Sequence, residues 1–154
     1  MLPRIQMSIW RCMHNSSAIK EVIAKRGILI DTSYPMCHSE AETLTHALRD
    51  SNMVKPIWYK LGTSCLCPSF FTQGIKDWLI SNSSLKSSQN AAGLPWNILF
   101  PYAIWMIWKQ RNNACFSNKR PNPNIDMVVT KLATEFLLCG AKSNRNMHMV
   151  VKQV

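Results

Sequence analysis

The chain has 154 residues, 47% of them hydrophobic, which is enough for one folded core. Charged residues make up 17% of it, below the share of about a quarter that is usual in soluble domains. Lysine and arginine number 18 against 8 acidic residues, so the net charge is +10. This excess favours polyanionic partners such as nucleic acid or an anionic membrane surface, although it also fits a simply solvated basic surface. The longest apolar stretch, residues 94–108, contains two prolines and is too short to span a membrane, so no membrane-crossing helix is expected.

The first two predicted elements are helices. Residues 3–15 place Ile5, Ile9 and Trp10 at helical spacing, so these side chains are interpreted as core. A second helix follows an Asn-Ser-Ser turn. It is predicted to end at Gly27, because glycine readily adopts the left-handed conformation that closes a helix.

The middle of the chain is predicted to be irregular and then helical. Residues 28–35 are β-prone or irregular, and residues 41–61 form one helix that Pro56 kinks or breaks. A loop and a short helix at residues 72–80 follow. The inward side of the longer helix is predicted to carry Leu44, Ala47, Leu48, Val54, Ile57, Trp58 and Leu61.

The last third of the chain begins after a segment rich in serine and asparagine, residues 81–93, which is predicted to be a flexible linker. A Trp-rich helix is expected at residues 95–116. An amphipathic helix at residues 125–138 is predicted to end at Gly140. Residues 142–154 are interpreted as a disordered tail. The fold class is therefore mainly α, a small helical fragment with an irregular segment before residue 51.

Residues 34–51, which run from the irregular segment into the following helix, have the frame of a Cys-x2-Cys…His…Cys zinc knuckle with half its ligands missing. Cys37 and His46 stand in ligand positions, whereas Tyr34 replaces the first cysteine and Ser51 the last. A structural zinc site needs four protein ligands, since an open position belongs to catalytic zinc. The spacing is therefore that of a zinc site, but the residues present argue against zinc binding.

Three further segments accompany this frame. They are LPRIQMSIWRCMHN at residues 2–15, KEVIAKRG at 20–27 and IWMIWKQRN at 104–112. With Glu42, Thr43, His46 and Trp58, they resemble the reverse-transcriptase zinc-binding domain of plant non-LTR, LINE-like retroelements, the last segment only loosely. The resemblance implies a role in holding nucleic acid beside a reverse transcriptase.

The resemblance also sets the predicted domain organisation. Residues 1–80 are a degenerate zinc-binding-like domain, residues 81–93 the linker, residues 94–141 a helical segment similar to the connector before RNase H, and residues 142–154 the tail. A threonine cap usual in the family is replaced by Ala18. On this resemblance, we expect the chain to start inside the module and to lack the polymerase and RNase H segments. We expect an open reading frame left by a decayed retroelement.

No cofactor is expected, with zinc as the open alternative. Without zinc, residues 28–51 are predicted to be loosely ordered, because structural zinc contributes about 10 kcal/mol against a typical domain stability of about 5–15 kcal/mol. A zinc site would need recruits beside Cys37 and His46. The candidates are His38, Cys65 and Cys67, although Cys65-x-Cys67 is a shorter spacing than usual.

The basic residues supply the candidate nucleic-acid surface. Non-specific phosphate contact needs only positive charge, whereas no base-reading motif is present. Trp10 and Trp58 could stack on bases, but both lie among apolar helical positions and are interpreted as core. The predicted nucleic-acid-binding residues are Arg4, Arg11, Lys20, Lys25, Arg26, Lys55 and Lys60.

Catalysis is not expected. The eight acidic residues are scattered and most are interpreted as solvated charge, so neither polymerase nor RNase H metals would find clustered carboxylates. Cys12 and His14 are close in sequence, which is no sign of a nucleophile and its base. The predicted function is non-specific nucleic-acid binding, and the alternatives are a helical protein-interaction module or a non-functional remnant.

The expected location is intracellular, in the nucleus or cytoplasm, with reduced thiols. Arg4 and Arg11 interrupt any apolar run that could form a signal peptide. The basic, serine-containing first twenty residues leave mitochondrial targeting as an alternative. A protein partner is the alternative to nucleic acid, and the oligomeric state stays open.

Overall fold

The computed structural model describes residues 2–62 and 66–151, with the backbone alone for residues 142–151. No β-strand occurs within this part of the chain, and no helix there is both long and apolar enough to cross a membrane. The prediction of a mainly α fold is confirmed. The elements are α1 (Pro3–Met13), α2 (Lys20–Lys25), a π-helical turn (His46–Asp50), α3 (Lys55–Gly62), α4 (Ile75–Ser84), α5 (Trp96–Ser117) and α6 (Ile125–Val151).

Helix α5 lies at the centre and contacts α1, α4, α6 and the π-helical turn. Beside it, an aromatic cluster forms around the fully buried Trp58, which was predicted to be core. Its indole N–H donates to the carbonyl oxygen of Leu48 at 2.9 Å, so the polar end of the ring is paired. Its ring centroid lies 5.3 Å from that of Phe100. The cluster consists of Trp58, Phe70, Trp78, Trp96 and Phe100.

The helix predicted for residues 41–61 is interrupted, and the break lies at Ser51 rather than at Pro56. Ser51 is extended, with ψ at 147°, and its carbonyl oxygen accepts a hydrogen bond from the Lys55 amide at 2.9 Å. Its hydroxyl accepts one from the Met53 amide at 3.1 Å. Pro56 then sits in the first turn of α3, where a backbone N–H would have no helical partner. Serine therefore starts the new helix, and the proline fits its opening turn.

The predicted linker is partly helical and hydrogen-bonded. Residues 81–84 form the end of α4, and the buried Asn82 bridges two tryptophans. Its amide nitrogen donates to the Trp78 carbonyl at 2.8 Å, and its oxygen accepts the Trp96 indole N–H at 2.9 Å. Further on, the Asn90 side chain donates to the Leu94 carbonyl at 2.6 Å. Asparagine thus satisfies backbone groups in this segment, and the regions on either side share one hydrophobic core.

Helix α6 continues past its predicted end. Gly140 lies inside the helix, which runs to Val151, so residues 142–151 of the predicted tail are helical. Left-handed glycines occur at Gly27 and Gly93 but not at Gly140. A single interior glycine costs a helix only about 1 kcal/mol, and no proline follows to stop it. Residues 152–154 of the predicted tail lie outside the described residues.

Candidate functional site

The first ligand position of the knuckle, residues 34–51, is filled by an aromatic ring. Tyr34 is fully buried, and its hydroxyl donates to the Ala47 carbonyl oxygen at 3.3 Å. The ring meets that of His46 edge-on, with centroids 5.2 Å apart and an interplanar angle of 87°. Burial raises the pKa of the Tyr34 phenol, so the hydroxyl remains a donor. The Tyr34 ring thus fills the position at which the first cysteine ligand of a zinc site would lie.

Cys37 and His46, the two residual ligand positions, contact each other directly. Their Sγ and Nε2 atoms are 3.3 Å apart. The other ring nitrogen, Nδ1, lies 3.1 Å from a carboxylate oxygen of Glu40. Partial burial raises the pKa of Cys37, but hydrogen bonds from Ser39 and His46 outweigh it and lower the pKa to about 7. The pair forms a polar contact that needs no metal to hold it.

The described residues do not fit a structural zinc ion. Glu40 binds the ring nitrogen opposite to the one that faces Cys37, so the three donor groups do not converge on one point. Ser51, in the last ligand position, is fully buried, and its hydroxyl accepts the Met53 amide. In the part of the chain that the structure describes, no group of three or more His, Cys, Asp or Glu side chains is placed to hold a metal.

The proposed recruits do not complete the set. His38 is exposed and has a positive φ of 55°. The exposed Cys67 contacts the Ser69 hydroxyl at 3.2 Å. Cys65 lies outside the described residues.

A buried carboxylate of the knuckle, that of Glu42, attaches the knuckle to α5. Glu42 accepts two hydrogen bonds from the guanidinium of Arg111 in α5, from Nε and from Nη2, the latter at 2.6 Å. Its second oxygen also accepts the Lys20 amide at 2.9 Å, at the positive end of α2. Desolvation opposes the charge of Arg111, but the pairing with Glu42 outweighs it and raises the pKa of Arg111.

Most acidic residues were interpreted as solvated charge, and Glu42 is an exception, because its side chain is fully buried. Sequence reasoning noted Glu42 and Arg111 in two separate motifs and assigned neither a structural role. The one indication of a relationship was that Glu42 and Arg111 both lie in segments that resemble the same family. Nothing in the spacing indicated that they meet.

Arg4 and Arg11 line a groove between α1 and α5 with a volume of about 400 Å³. Seven residues separate them, so both project on one side of α1 about two turns apart. Both are exposed. The opposite wall is aromatic and comes from α5. This α1–α5 groove is defined by the lining residues Arg4, Arg11, Trp105, Trp108, Asn112 and Phe116.

The other five predicted basic residues do not join this groove. Four make local contacts, and Arg26 is exposed at the end of α2. The ammonium of Lys20 donates to the Ser33 carbonyl at 2.9 Å, and Lys25 pairs with Glu21 at 2.7 Å. On the α3 side, Lys60 lies 3.6 Å from Asp126 and Lys55 sits over the Phe71 ring.

The tryptophans depart from the sequence interpretation at one position. Trp10 was interpreted as core, yet it is 49% exposed and stacks on the His14 ring at 4.3 Å. It points away from α5 because Ile5 and Ile9 already bury that side of α1. Trp105 and Trp108 are half-buried, with the Arg111 guanidinium 5.1 Å from the Trp108 ring centroid.

Cys12 and His14 are not arranged as a nucleophile and base. Burial raises the pKa of the Cys12 thiol, which accepts a hydrogen bond from the Ser17 hydroxyl at 3.6 Å. The Nδ1 atom of His14 lies 2.8 Å from the Trp10 carbonyl oxygen. The described cysteines are all free thiols.

Comparison with known proteins identifies the N-terminal part of the chain. Residues 1–58 match the family model described as zinc-binding in reverse transcriptase. The match covers α1, α2, the knuckle and the first half of α3, and ends before α4, α5 and α6. Searches of curated proteins and of solved structures returned no match.

Proposed function

We propose that this chain, whose residues 1–58 match the family described as zinc-binding in reverse transcriptase, is a retroelement-derived protein that binds nucleic acid without sequence specificity and has no catalytic activity. The observation that carries the proposal is the pair Arg4 and Arg11 on the open side of α1, facing an aromatic wall. A net charge of +10 adds long-range attraction for phosphates.

The absence of catalysis is supported by how the carboxylates are used. Glu42 is enclosed by Arg111, Asp50 pairs with Arg49 at 2.7 Å, and Glu21 pairs with Lys25. Phosphoryl-transfer metals need carboxylates that converge on one point. These three carboxylates instead make separate contacts with three different basic residues.

Zinc independence is part of the same proposal. Tyr34 and Ser51 replace two ligands, and each makes hydrogen bonds inside the knuckle that need no ion. The buried pair of Glu42 and Arg111 supplies a further attachment to α5. The ancestral metal site is thereby replaced by packing and hydrogen bonds.

Fluorescence anisotropy with a labelled oligonucleotide, repeated at several salt concentrations, tests the binding. The logarithm of the association constant should fall linearly with the logarithm of the salt concentration, with a slope of about −0.7 per contacted phosphate on a single strand. Arg4→Gln with Arg11→Gln should weaken binding about tenfold or more at low salt. The matched control, Lys76→Gln with Lys119→Gln, removes two charges from exposed positions elsewhere and should have a smaller effect. Affinity that is absent, or independent of salt, would overturn the proposal.

One observation favours a rival function, a protein-interaction module. Ile28, Leu29 and Ile30 are consecutive apolar residues with exposed fractions of 56%, 102% and 41%. Exposed apolar clusters of this kind serve as contact sites for other proteins. Binding to such a partner would persist at high salt, because apolar burial is not screened. Leu29→Asp would abolish it and leave nucleic-acid binding unchanged.

A further inference from the structure

We propose that the α1–α5 groove binds an unpaired stretch of one or two nucleotides, with the bases against Trp108 and Phe116 and the phosphates against Arg4 and Arg11. This inference rests on the proposed nucleic-acid binding and names the site and the strandedness of the ligand. Four features of the groove support it: its aromatic wall, the fixed orientation of Trp108, its charge and its size.

The aromatic wall is fixed in place yet open. Trp105 and Trp108 are half-buried, so their inner edges are held by the core while part of each ring faces the groove. Phe116 is 78% exposed at the end of the same helix. An aromatic side chain that stays in water at this level gains stability when a flat ring covers it, and every nucleobase offers such a ring.

Trp108 is also held by a cation that is itself fixed. The guanidinium of Arg111 lies 5.1 Å from the Trp108 ring centroid. Glu42 holds that guanidinium through two hydrogen bonds, and Asn112 accepts a third at 3.0 Å. The Trp108 ring is therefore held in one orientation before binding. Less side-chain conformational entropy is then lost when a base stacks on it.

The charge of the groove suits a phosphate backbone. The described residues that line it include two arginines and no acid. Arg4 also borders a second groove that contains Glu135, whereas no carboxylate is among the described residues that line the α1–α5 groove beside Arg11. Arginine forms a planar fork of donors, which matches two phosphate oxygens.

The size and wall chemistry select single strands over duplexes. A volume of about 400 Å³ is within the range of small-ligand sites, so it admits one or two nucleotides and no folded partner. In a duplex, the faces of the bases are covered by stacking on their neighbours. An aromatic wall can therefore reach base faces only when the strand is unpaired.

The test compares three labelled probes on the full chain. They are a 12-nucleotide pyrimidine single strand, a hairpin duplex of similar charge, and an abasic strand with the same phosphates. We expect the single strand to bind about tenfold tighter than either of the others, since stacking on an aromatic side chain contributes about that much per base. Tryptophan fluorescence should be quenched by the single strand and not by the abasic strand.

Matched variants locate the effect. Phe116→Ala and Trp108→Leu should each remove most of the preference for the single strand and leave abasic-strand affinity unchanged. Phe116 is so exposed that its removal does not threaten folding, which keeps the test valid if Trp108→Leu is unstable. Trp10→Leu is the control, because Trp10 is an exposed tryptophan of α1 outside the groove, and it should change nothing.

Equal affinity for the single strand and the abasic strand would overturn the groove inference and leave the proposed function standing. No salt-dependent binding of any probe would overturn both. Displacement of the single strand by a polyglutamate peptide at comparable concentration would assign the groove to acidic peptides instead.

Discussion

The carboxylate of Glu42 and the guanidinium of Arg111 form a two-point ion pair with almost no exposure to solvent, although 69 positions separate them in the chain. One partner belongs to the knuckle and the other to α5, which lies outside the segment matched by the family. The knuckle is thus fixed by an element that sequence comparison does not include with it. Four predictions follow from this arrangement and from the contents of the ligand positions.

Glu42→Gln should destabilise the protein by about 3–5 kcal/mol, because it leaves the Arg111 charge buried without its counter-charge. Urea unfolding followed by far-UV circular dichroism measures the loss. The double variant Glu42→Leu with Arg111→Met should be closer to the wild type than Glu42→Gln, since it removes both charges at similar volume. A loss below about 1 kcal/mol for Glu42→Gln would contradict the burial of the pair.

Chelation of metals should leave the unfolding curve of the wild-type chain unchanged. The reason is that Tyr34 and Ser51 hydrogen-bond inside the knuckle without a metal. Zinc content measured on the purified chain should be substoichiometric. Native-state hydrogen exchange should show protection at the buried residues 46–49, whereas the loose ordering predicted from the sequence would leave them unprotected. Protection that appears only with zinc would contradict the metal-free knuckle.

Tyr34→Cys with Ser51→Cys should rebuild the zinc site around Cys37 and His46. Loss of the Tyr34 ring alone costs several kcal/mol, as large-to-small core changes do, so the double variant should be unstable without metal. Zinc at about 100 times its dissociation constant should restore about 2.7 kcal/mol. Absorption of a cobalt complex in the visible range reports tetrahedral thiolate ligation. The single variant Tyr34→Cys is the control and should bind the metal more weakly, because it supplies three ligands.

Alkaline pH should unfold the protein partly through Tyr34. Its phenol has a folded pKa raised by burial above the unfolded value of about 10, so the folded state favours the neutral form. The contribution is fully present below about pH 10 and is lost as the pH rises through the folded value. Ultraviolet difference spectra should show one tyrosine ionising together with unfolding. Tyr34→Phe should shift the alkaline midpoint upward, and an unchanged midpoint would show that Tyr34 does not control this transition.

The helices were predictable because their signals are local. The apolar residues that predict α1 lie within a few positions of one another, and Gly27 closely follows the helix whose end it predicts. The same kind of local reading failed at Trp10, where the spacing gave the right helix and the wrong face. Which of the apolar side chains Ile5, Ile9 and Trp10 face the core depends on the other residues that already fill it.

The candidate site was only partly predictable for the same reason. The frame of the knuckle and the pair Cys37–His46 are visible as spacing, and the structure places them in contact. The α1–α5 groove requires two segments about a hundred residues apart, and only Arg4 and Arg11 on its α1 side were identified from the sequence. The break at Ser51 was missed because a serine that starts a helix resembles any polar residue inside one.

The distance along the chain between Glu42 and Arg111 also sets when the knuckle can close during synthesis. A zinc-bound knuckle can fold as soon as its own residues have left the ribosome, because the ion gathers ligands that are near in sequence. Here the second partner emerges 69 residues later, which takes roughly 3–14 s at usual translation rates. Over that interval the nascent N-terminal segment lacks its anchor, and on the proposed zinc independence no metal takes the anchor's place. Chaperones that hold apolar nascent segments therefore have a longer opportunity to bind this chain than one whose knuckle closes around zinc.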